Sequence, residues 1–278
     1  MAAKPAVKKA KTEVAKAAKT EVGSVLDFAA DAGKGLEGAD KSSFAIPFIG
    51  ILQGLSPQLE TVDGAKPGLF INTITNELMS RVRVIPCAFQ RRYIRWAPRS
   101  SGGGFKGELN PIDVETNKVP GCRSINGIYL MDVPASNSNP FDSNGRPLFD
   151  HLSDTRNHFV LVETANGAWQ PALISLGSSQ IKKSKRWMSR IQGLELRTAN
   201  GAAYNPPSFS HIYHITAVKE ENAKGSWWGL DVGLDGPIQD ASLYSTAKAF
   251  HDSVVAGAVE VSPPVPEVAS TEGQGGKF

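Results

Sequence analysis

Residues 81–106 read RVRVIPCAFQRRYIRWAPRSSGGGFK, a run rich in β-branched and aromatic residues that ends in a glycine loop. Its alternation of side chains predicts one long strand with two distinct faces. Four residues of its second half share one face: Phe89, Arg91, Tyr93 and Arg95. Alternating aromatic rings and guanidinium groups suit a single-stranded nucleic acid, which offers a flat base and a phosphate charge at each nucleotide. The alternative is an outer sheet face whose tyrosine and arginines only contact water.

The other face of this predicted strand carries Ile94 and Trp96, which we expect to support the fold. Pro86 interrupts the strand near its middle. A bulge there would keep residues 89–95 in phase with one another but would be able to turn them inward.

Further strand patterns follow along the middle of the chain. They lie at 69–79, 158–164, 168–176, 208–221 and 226–234. Asn166–Gly167 is a hairpin signal, and the other short connections also favour antiparallel pairing. Helical patterns occupy 180–191 and 241–257. The chain is therefore predicted to be mainly β with helical additions, arranged as a barrel or a sandwich.

Composition divides the chain into three parts. Residues 1–40 are an Ala/Lys-rich basic arm, and residues 258–278 are a tail rich in Pro, Gly and Ser. Residues 41–257 are predicted to form a single β-rich domain, which we expect to bind nucleic acid. Both ends lack the apolar residues that a packed core needs, so we predict that they are disordered.

Charge is concentrated locally in this chain. The net charge is only +3, and the first 22 residues hold six lysines against two glutamates, which leaves the remainder near neutral. A nucleic-acid site must therefore be a basic patch. The two cysteines, Cys87 and Cys122, exclude a disulfide-dense secreted scaffold and a four-cysteine zinc site. No apolar run is long enough to span a bilayer, which predicts no membrane partner.

The predicted helix at 180–191 is the second basic feature. Lys182, Arg186 and Arg190 form one ridge, and Lys183 and Trp187 share the adjoining row. No acidic residue interrupts this cluster. Such helices are often only solvated faces, and Trp187 fits a core position equally well, but unbalanced charge beside tryptophan favours binding.

Two other aromatic–basic pairs are candidates. Phe105 and Lys106 follow three glycines in a segment, 100–113, that we predict to be a flexible loop. Trp227 and Trp228, close to Lys224 in the sequence, lie on a predicted strand, so one tryptophan is expected inward and the other outward.

Catalytic patterns are absent from the sequence. His211 and His214 are three residues apart on a predicted strand, so they point to opposite faces and cannot share a metal locally. No phosphate-loop, calcium-loop or nucleophile-elbow spacing occurs. We therefore predict a non-enzyme without cofactor or metal.

The sequence resembles a group of tailed-bacteriophage proteins that are regarded as single-stranded DNA-binding proteins or left unassigned. The matching blocks are SFAIPFIGILQGLSPQ (43–58), GAKPG (64–68), VIPCAFQRRYIRWAPR (84–99) with the following GGGF, and KKSKRW (182–187). This resemblance covers most of 43–235. It implies an OB-like antiparallel β-barrel that coats DNA strands during phage replication or recombination in the host cytoplasm.

Three functions stay open at this point. The leading one is non-catalytic binding of single-stranded DNA, with replication or recombination proteins as further partners of the C-terminal tail. That tail ends in Phe278 but carries only three glutamates, which weakens the case for partner recruitment. The others are a structural or virion-internal phage protein and an accessory factor of a replication enzyme. Oligomeric state is left open, with a homo-oligomer among the expectations.

Overall fold

The computed structural model describes residues 31, 34–39, 45–223 and 225–259. The chain divides into two units, residues 1–40 and residues 41–278. In the first unit, Lys34 Nζ donates to Asp31 Oδ1 at 2.5 Å. Most of the predicted basic arm and most of the predicted C-terminal tail lie outside the described residues. Everything that follows concerns the second unit.

Antiparallel strands dominate the second unit, so the prediction of a mainly β fold with helical additions is confirmed. The described strands are β1 (Ile49–Ile51), β2 (Phe70–Asn72), β3 (Leu78–Met79), β4 (Arg81–Trp96), β5 (Phe105–Leu109), β6 (Cys122–Ile125), β7 (Ile128–Met131), β8 (His151–Glu163), β9 (Trp169–Gly177), β10 (Leu196–Arg197), β11 (Ala203–Tyr204), β12 (His211–Asn222) and β13 (Gly225–Pro237). The described helices are α1 (Gln58–Thr61), α2 (Pro111–Glu115), α3 (Ile181–Gln192) and α4 (Ala241–Val255).

The predicted long strand is β4, and it runs through the centre of an eight-stranded sheet. One edge of β4 pairs with β8, while the other pairs first with β12 and then with β5. The sheet continues from β12 to β13 on one side and from β8 to β9 and β7 on the other. Its interior strands are rich in Val, Ile and Leu because both of their faces are covered.

A bulge in β4 decides which face each residue meets. The register with β8 shifts between Pro86 and Ala88, which leaves Cys87 as the extra residue. Val84 and Phe89 therefore point to the same side of the sheet, although their parity differs. A bulge near Pro86 is therefore present, and it places Phe89 on the same side of the sheet as the buried Val84.

Apolar residues pack on both faces of the sheet. On one face, Val82 and Val84 of β4 pack with Trp187 and Ile191 of α3 and with Phe70 of β2. The other face is covered by α4, whose buried residues Ala247, Phe250 and Val254 meet Ile85 and Phe159 in one cluster. A third, smaller cluster forms around Tyr93, where α2 contributes Val114.

β1 lies between the two outer strands of the sheet. Phe48 forms an isolated parallel bridge with Leu173 of β9. On the other side, the side chain of Gln53 bonds to the backbone of Trp228 in β13. Backbone pairing among the described strands does not close the sheet into a barrel.

Two segment predictions are wrong in detail. Residues 69–79 form two strands, β2 and β3, in a separate three-stranded sheet rather than one strand. Asn76, with φ 57°, lies in the tight connection between them. The predicted flexible loop at 100–113 contains β5 and the start of α2, whose first turn is capped by Asn110 accepting from Ile112 N–H. In the ranges described, no helix combines the length and the apolar character that a bilayer crossing requires.

Candidate nucleic-acid interface

α3 is amphipathic, as its sequence pattern predicts. Ser184, Trp187 and Ile191 are buried against the sheet. Lys182, Lys185, Arg186 and Arg190 lie on the exposed side, and we call these four residues the α3 basic face. No carboxylate of the described residues forms an ion pair with any of the four. The α3 basic face thus presents a concentrated positive charge that forms no ion pair within the part of the chain that the structure describes.

Buried contacts fix the orientation of α3. The ring of Trp187 stacks on His158 of β8 at a centroid distance of 4.4 Å and an interplanar angle of 17°. His158 Nε2 and Ser184 Oγ share a hydrogen bond of 2.8 Å. Burial, together with the positive charge of Arg156, lowers the pKa of His158 to about 3. The imidazole is therefore neutral at neutral pH and acts as part of the core.

Two of the predicted contact residues on α3 are not exposed. Trp187 is only 1% exposed, so the prediction that it is available for base stacking is wrong for this structure. Lys183 pairs with Glu220 of β12 at 2.6 Å, and this hydrogen bond lowers the pKa of Glu220. Lys183 therefore docks the helix. On the α3 basic face, Lys182, Lys185 and Arg186 remain open, whereas Arg190 donates to the carbonyl of Val232.

The arginines of β4 are already paired with carboxylates. Arg91 donates to Asp154 at 2.8 and 3.0 Å and to Glu115 at 2.5 Å. Arg95 donates to Asp150 at 2.7 Å and to Asp132 at 3.1 Å. We call these contacts the arginine–carboxylate ladder. Because each positive charge has a nearby negative one, this part of the strand offers little net attraction to phosphate.

Acid titration reflects the same pairing. Burial alone raises the pKa of Asp154, but its hydrogen bond with Arg91 and the charges of Arg156 and Arg91 lower that pKa overall. The hydrogen bond from Arg91 also lowers the pKa of Glu115. These carboxylates therefore stay ionised well below neutral pH and keep the guanidinium groups engaged.

The aromatic residues of the same strand face are packed. Tyr93 is 6% exposed and lies in the small cluster with Val114, and burial raises the pKa of its hydroxyl to about 12. Phe89 is half-buried, with its ring 5.1 Å from that of His158. The aromatic members of the expected open row are thus packed: α2 covers Tyr93, and the ring of Phe89 lies against His158.

Phe105 and Lys106 are the first residues of β5 and lie beside the C-terminal end of β4. Phe105 is 39% exposed, and its ring meets the edge of Trp96 at 6.2 Å. Lys106 is exposed, and it is the extra residue where the register between β4 and β5 shifts. Trp96 is half-buried rather than a core residue. Phe89 lies near α3 through His158, and Trp96 contacts Phe105. Because β4 advances roughly 23 Å between Phe89 and Trp96, the surface at Phe105 and Lys106 is separate from the α3 basic face.

Sequence reasoning missed one aromatic residue next to α3. Tyr204 of β11 is 44% exposed. The side chain of Asn205 donates to the carbonyls of Gln192 and Leu194 at 3.0 and 2.8 Å, which ties the β10–β11 hairpin to the end of α3. The signal in the sequence was a tyrosine in the short hairpin that directly follows the basic helix.

A cleft among the described residues lies away from α3. Its volume is about 470 Å³, and it is lined by Glu77, Leu78, Met79, Ser80, Arg81, Arg83, Glu163, Thr164 and Ala165. Arg83 bonds to Glu163 at 2.7 Å and to Asp235 at 3.2 Å, so its charge is also compensated. In the ranges described, no cluster of three His, Cys, Asp or Glu side chains is placed to hold a metal ion.

The family of the chain follows from a protein-family model that covers the whole sheet and α3. The model for the Pam3 phage gp34-like protein matches residues 14–260. The chain belongs to this family. The resemblance to phage proteins is thereby confirmed, while the family description names no activity. No curated protein and no solved structure matches the sequence.

Proposed function

We propose that this phage protein is a non-catalytic single-stranded DNA-binding protein and that DNA lies on the α3 basic face. The observation that carries the proposal is the contrast between two sets of cations. The residues of the α3 basic face have no ion-pair partner among the described residues, whereas the arginines of β4 are paired with carboxylates. A polyanion is attracted to the first set, because its charge is not cancelled locally.

A single strand suits this surface better than a duplex. Four cations follow one side of a twelve-residue helix, about 18 Å long, which is the scale of a few nucleotides. The exposed ring of Tyr204 lies just beyond the helix end and offers a platform for an unstacked base. Phe105 and Lys106 provide a second, smaller contact at the tip of β4 for a strand that continues across the sheet.

The fold that we propose for this activity is an OB-like barrel. Its wall is the antiparallel series β9, β8, β4, β12 and β13. β1 lies between the two ends of that series, through the bridge of Phe48 to Leu173 and the contact of Gln53 with Trp228. These contacts support a barrel whose last gap is spanned by a short strand and side chains.

The proposal assigns the strand residues a supporting role. Arg91, Tyr93 and Arg95 hold α2 and β8 against β4 through the arginine–carboxylate ladder, and Phe89 supports His158 beneath α3. We further propose that the protein acts in the host cytoplasm during phage DNA replication or recombination. Contacts of the C-terminal tail with replication proteins belong to the same proposal.

A competition measurement tests the proposal. Labelled oligo(dT) is bound to the full chain at low salt and then displaced either by unlabelled oligo(dT) or by duplex DNA of equal length. We expect oligo(dT) to displace the probe at lower nucleotide concentration than the duplex. Equal or better displacement by the duplex would exclude a single-strand binder. Absence of any binding at low salt would instead leave the structural and accessory roles.

A further inference from the structure

The outer edge of β13 is covered by side chains instead of a strand. Among the described residues, β13 pairs its backbone only with β12. On the open edge, Gln53 Nε2 donates to Trp228 O and Trp228 N–H donates to Gln53 Oε1, both at 2.9 Å. Leu230 N–H donates to Gln180 Oε1 at 3.2 Å, and Arg190 donates to Val232 O.

These side-chain contacts fall on every second residue of β13, as the backbone bonds of a neighbouring strand would. In an antiparallel strand the backbone groups of every second residue point to the same edge. Trp228, Leu230 and Val232 are such a set, and each has a side-chain partner there. Side chains that occupy strand-pairing groups protect an edge from unwanted strand addition. The protection can be withdrawn, because side chains move without refolding the sheet.

One of the three protecting side chains belongs to α3, and a second comes from the residue directly before it. Gln180 is the residue before the first turn of the helix, and Arg190 is in its last turn. Arg190 is also part of the α3 basic face. A guanidinium bonds more strongly to a phosphate than to a neutral carbonyl, so bound nucleic acid competes with Val232 for this side chain.

The sequence of β13 is self-complementary in antiparallel pairing. A register centred on Leu230 places Trp228 opposite Val232 of a second copy and Leu230 opposite itself. On the other face it places Trp227 opposite Gly233 and Asp231 opposite Gly229. Each large side chain of that face therefore meets a glycine, and no like charges face each other. A two-fold axis satisfies the same row of backbone groups in both copies.

We propose that the outer edge of β13 docks β13 of a second copy of this chain, and that nucleic acid helps to open this edge by drawing the Arg190 side chain away from the carbonyl of Val232. The opening step rests on the proposed function, whereas the docking edge does not. The partner strand replaces the bonds that Gln53, Gln180 and Arg190 make, so the exchange leaves no backbone group unpaired. DNA binding and pairing of copies then favour each other.

The docking edge is tested without nucleic acid. Sedimentation velocity of the full chain compares the wild type, Gln180→Ala/Arg190→Ala, and the matched control Lys182→Ala/Lys185→Ala. The control removes two exposed α3 cations that, unlike Arg186 and Arg190, do not line the pocket between α3 and β13. We expect the first variant to dimerise about tenfold more tightly or better, and the control to behave as the wild type. Equal self-association of the two variants would overturn the proposal.

A second measurement uses the wild type, so it does not depend on the folding of a variant. Hydrogen exchange of the Trp228 and Leu230 amides is followed together with the mass of the complex on oligo(dT). A dimer on DNA with both amides still protected supports the proposal. A monomer on DNA overturns it. If oligo(dT) does not bind at all, the proposed function fails, and the sedimentation comparison alone decides whether the edge docks a second copy.

Discussion

Removing the positive charge of α3 should change the salt dependence of DNA binding by a calculable amount. The perturbation is Lys182→Ala, Lys185→Ala and Arg186→Ala in one chain. All three side chains are exposed on α3, and alanine keeps helical propensity, so the fold should be retained.

The magnitude follows from counterion release. Each phosphate contact with a single strand contributes about 0.7 to the slope of log affinity against log salt, so three lost contacts reduce the slope by about 2. Between about 50 and 200 mM salt, a slope change of that size corresponds to roughly a 20-fold difference in how much affinity is lost. The variant should therefore bind weakly at low salt and respond little to added salt.

The assay is fluorescence anisotropy of labelled oligo(dT) at several salt concentrations. The matched control is Lys66→Ala, Lys118→Ala and Arg146→Ala, which removes the same charge from exposed positions outside α3. A control with the same loss of slope would show that only the net charge matters. An unchanged slope in the α3 variant would show that phosphate lies elsewhere, and the reasoning from unpaired cations would be refuted.

Three further outcomes follow from the site. Tyr204→Ala should weaken oligo(dT) binding by about 1–3 kcal/mol with an unchanged salt slope, because it removes a stacking platform and no charge; a changed slope would contradict this role. Tyr93→Ala should lower the free energy of unfolding in urea by about 3–5 kcal/mol, since the ring is buried beneath α2. If this variant were as stable as the wild type but no longer bound DNA, Tyr93 would be a DNA-contact residue after all. The pKa of His158 is depressed to about 3 from an ordinary value of 6.5, so the neutral imidazole stabilises the folded state fully above pH 6.5. As the pH falls from 6.5 towards 3, the free energy of unfolding should decrease by about 1.4 kcal/mol per pH unit. The urea midpoints of the wild type and of His158→Gln should therefore converge at low pH.

The elements with strong periodicity were predictable from the sequence. The long strand is β4, Asn166–Gly167 is the predicted hairpin turn, and α3 has the predicted amphipathic face. In each case the pattern reflects burial on one side only, which is a property of the segment itself. The open cations of α3 were predictable for the same reason.

The partners of the β4 arginines were not predictable. Arg91 lies opposite Arg156 and Tyr93 opposite Asp154 only because Cys87 is a bulge, and one residue of register decides every such pair. Glu115 ends a helix, α2, whose start lies in the predicted loop at 100–113 and which the sequence pattern did not predict. Whether an arginine is open or neutralised depends on these distant carboxylates. Local alternation therefore identified the face correctly but not its accessibility.

The buried thiol of Cys87, at the bulge of β4, is a natural probe of how often the protein opens. Cys87 is fully buried, and burial raises the pKa of its thiol to about 12, so neither access nor the thiolate form is available in the folded state. Cys122 is half-buried and is the second free thiol. In a Cys122→Ser background, the rate at which a thiol reagent labels Cys87 reports how often the protein opens far enough to uncover the cluster that α4 and the sheet form around this residue. Added oligo(dT) should slow that labelling to the extent that the bound strand stabilises the folded state, which gives a measure of affinity that needs no dye on the DNA.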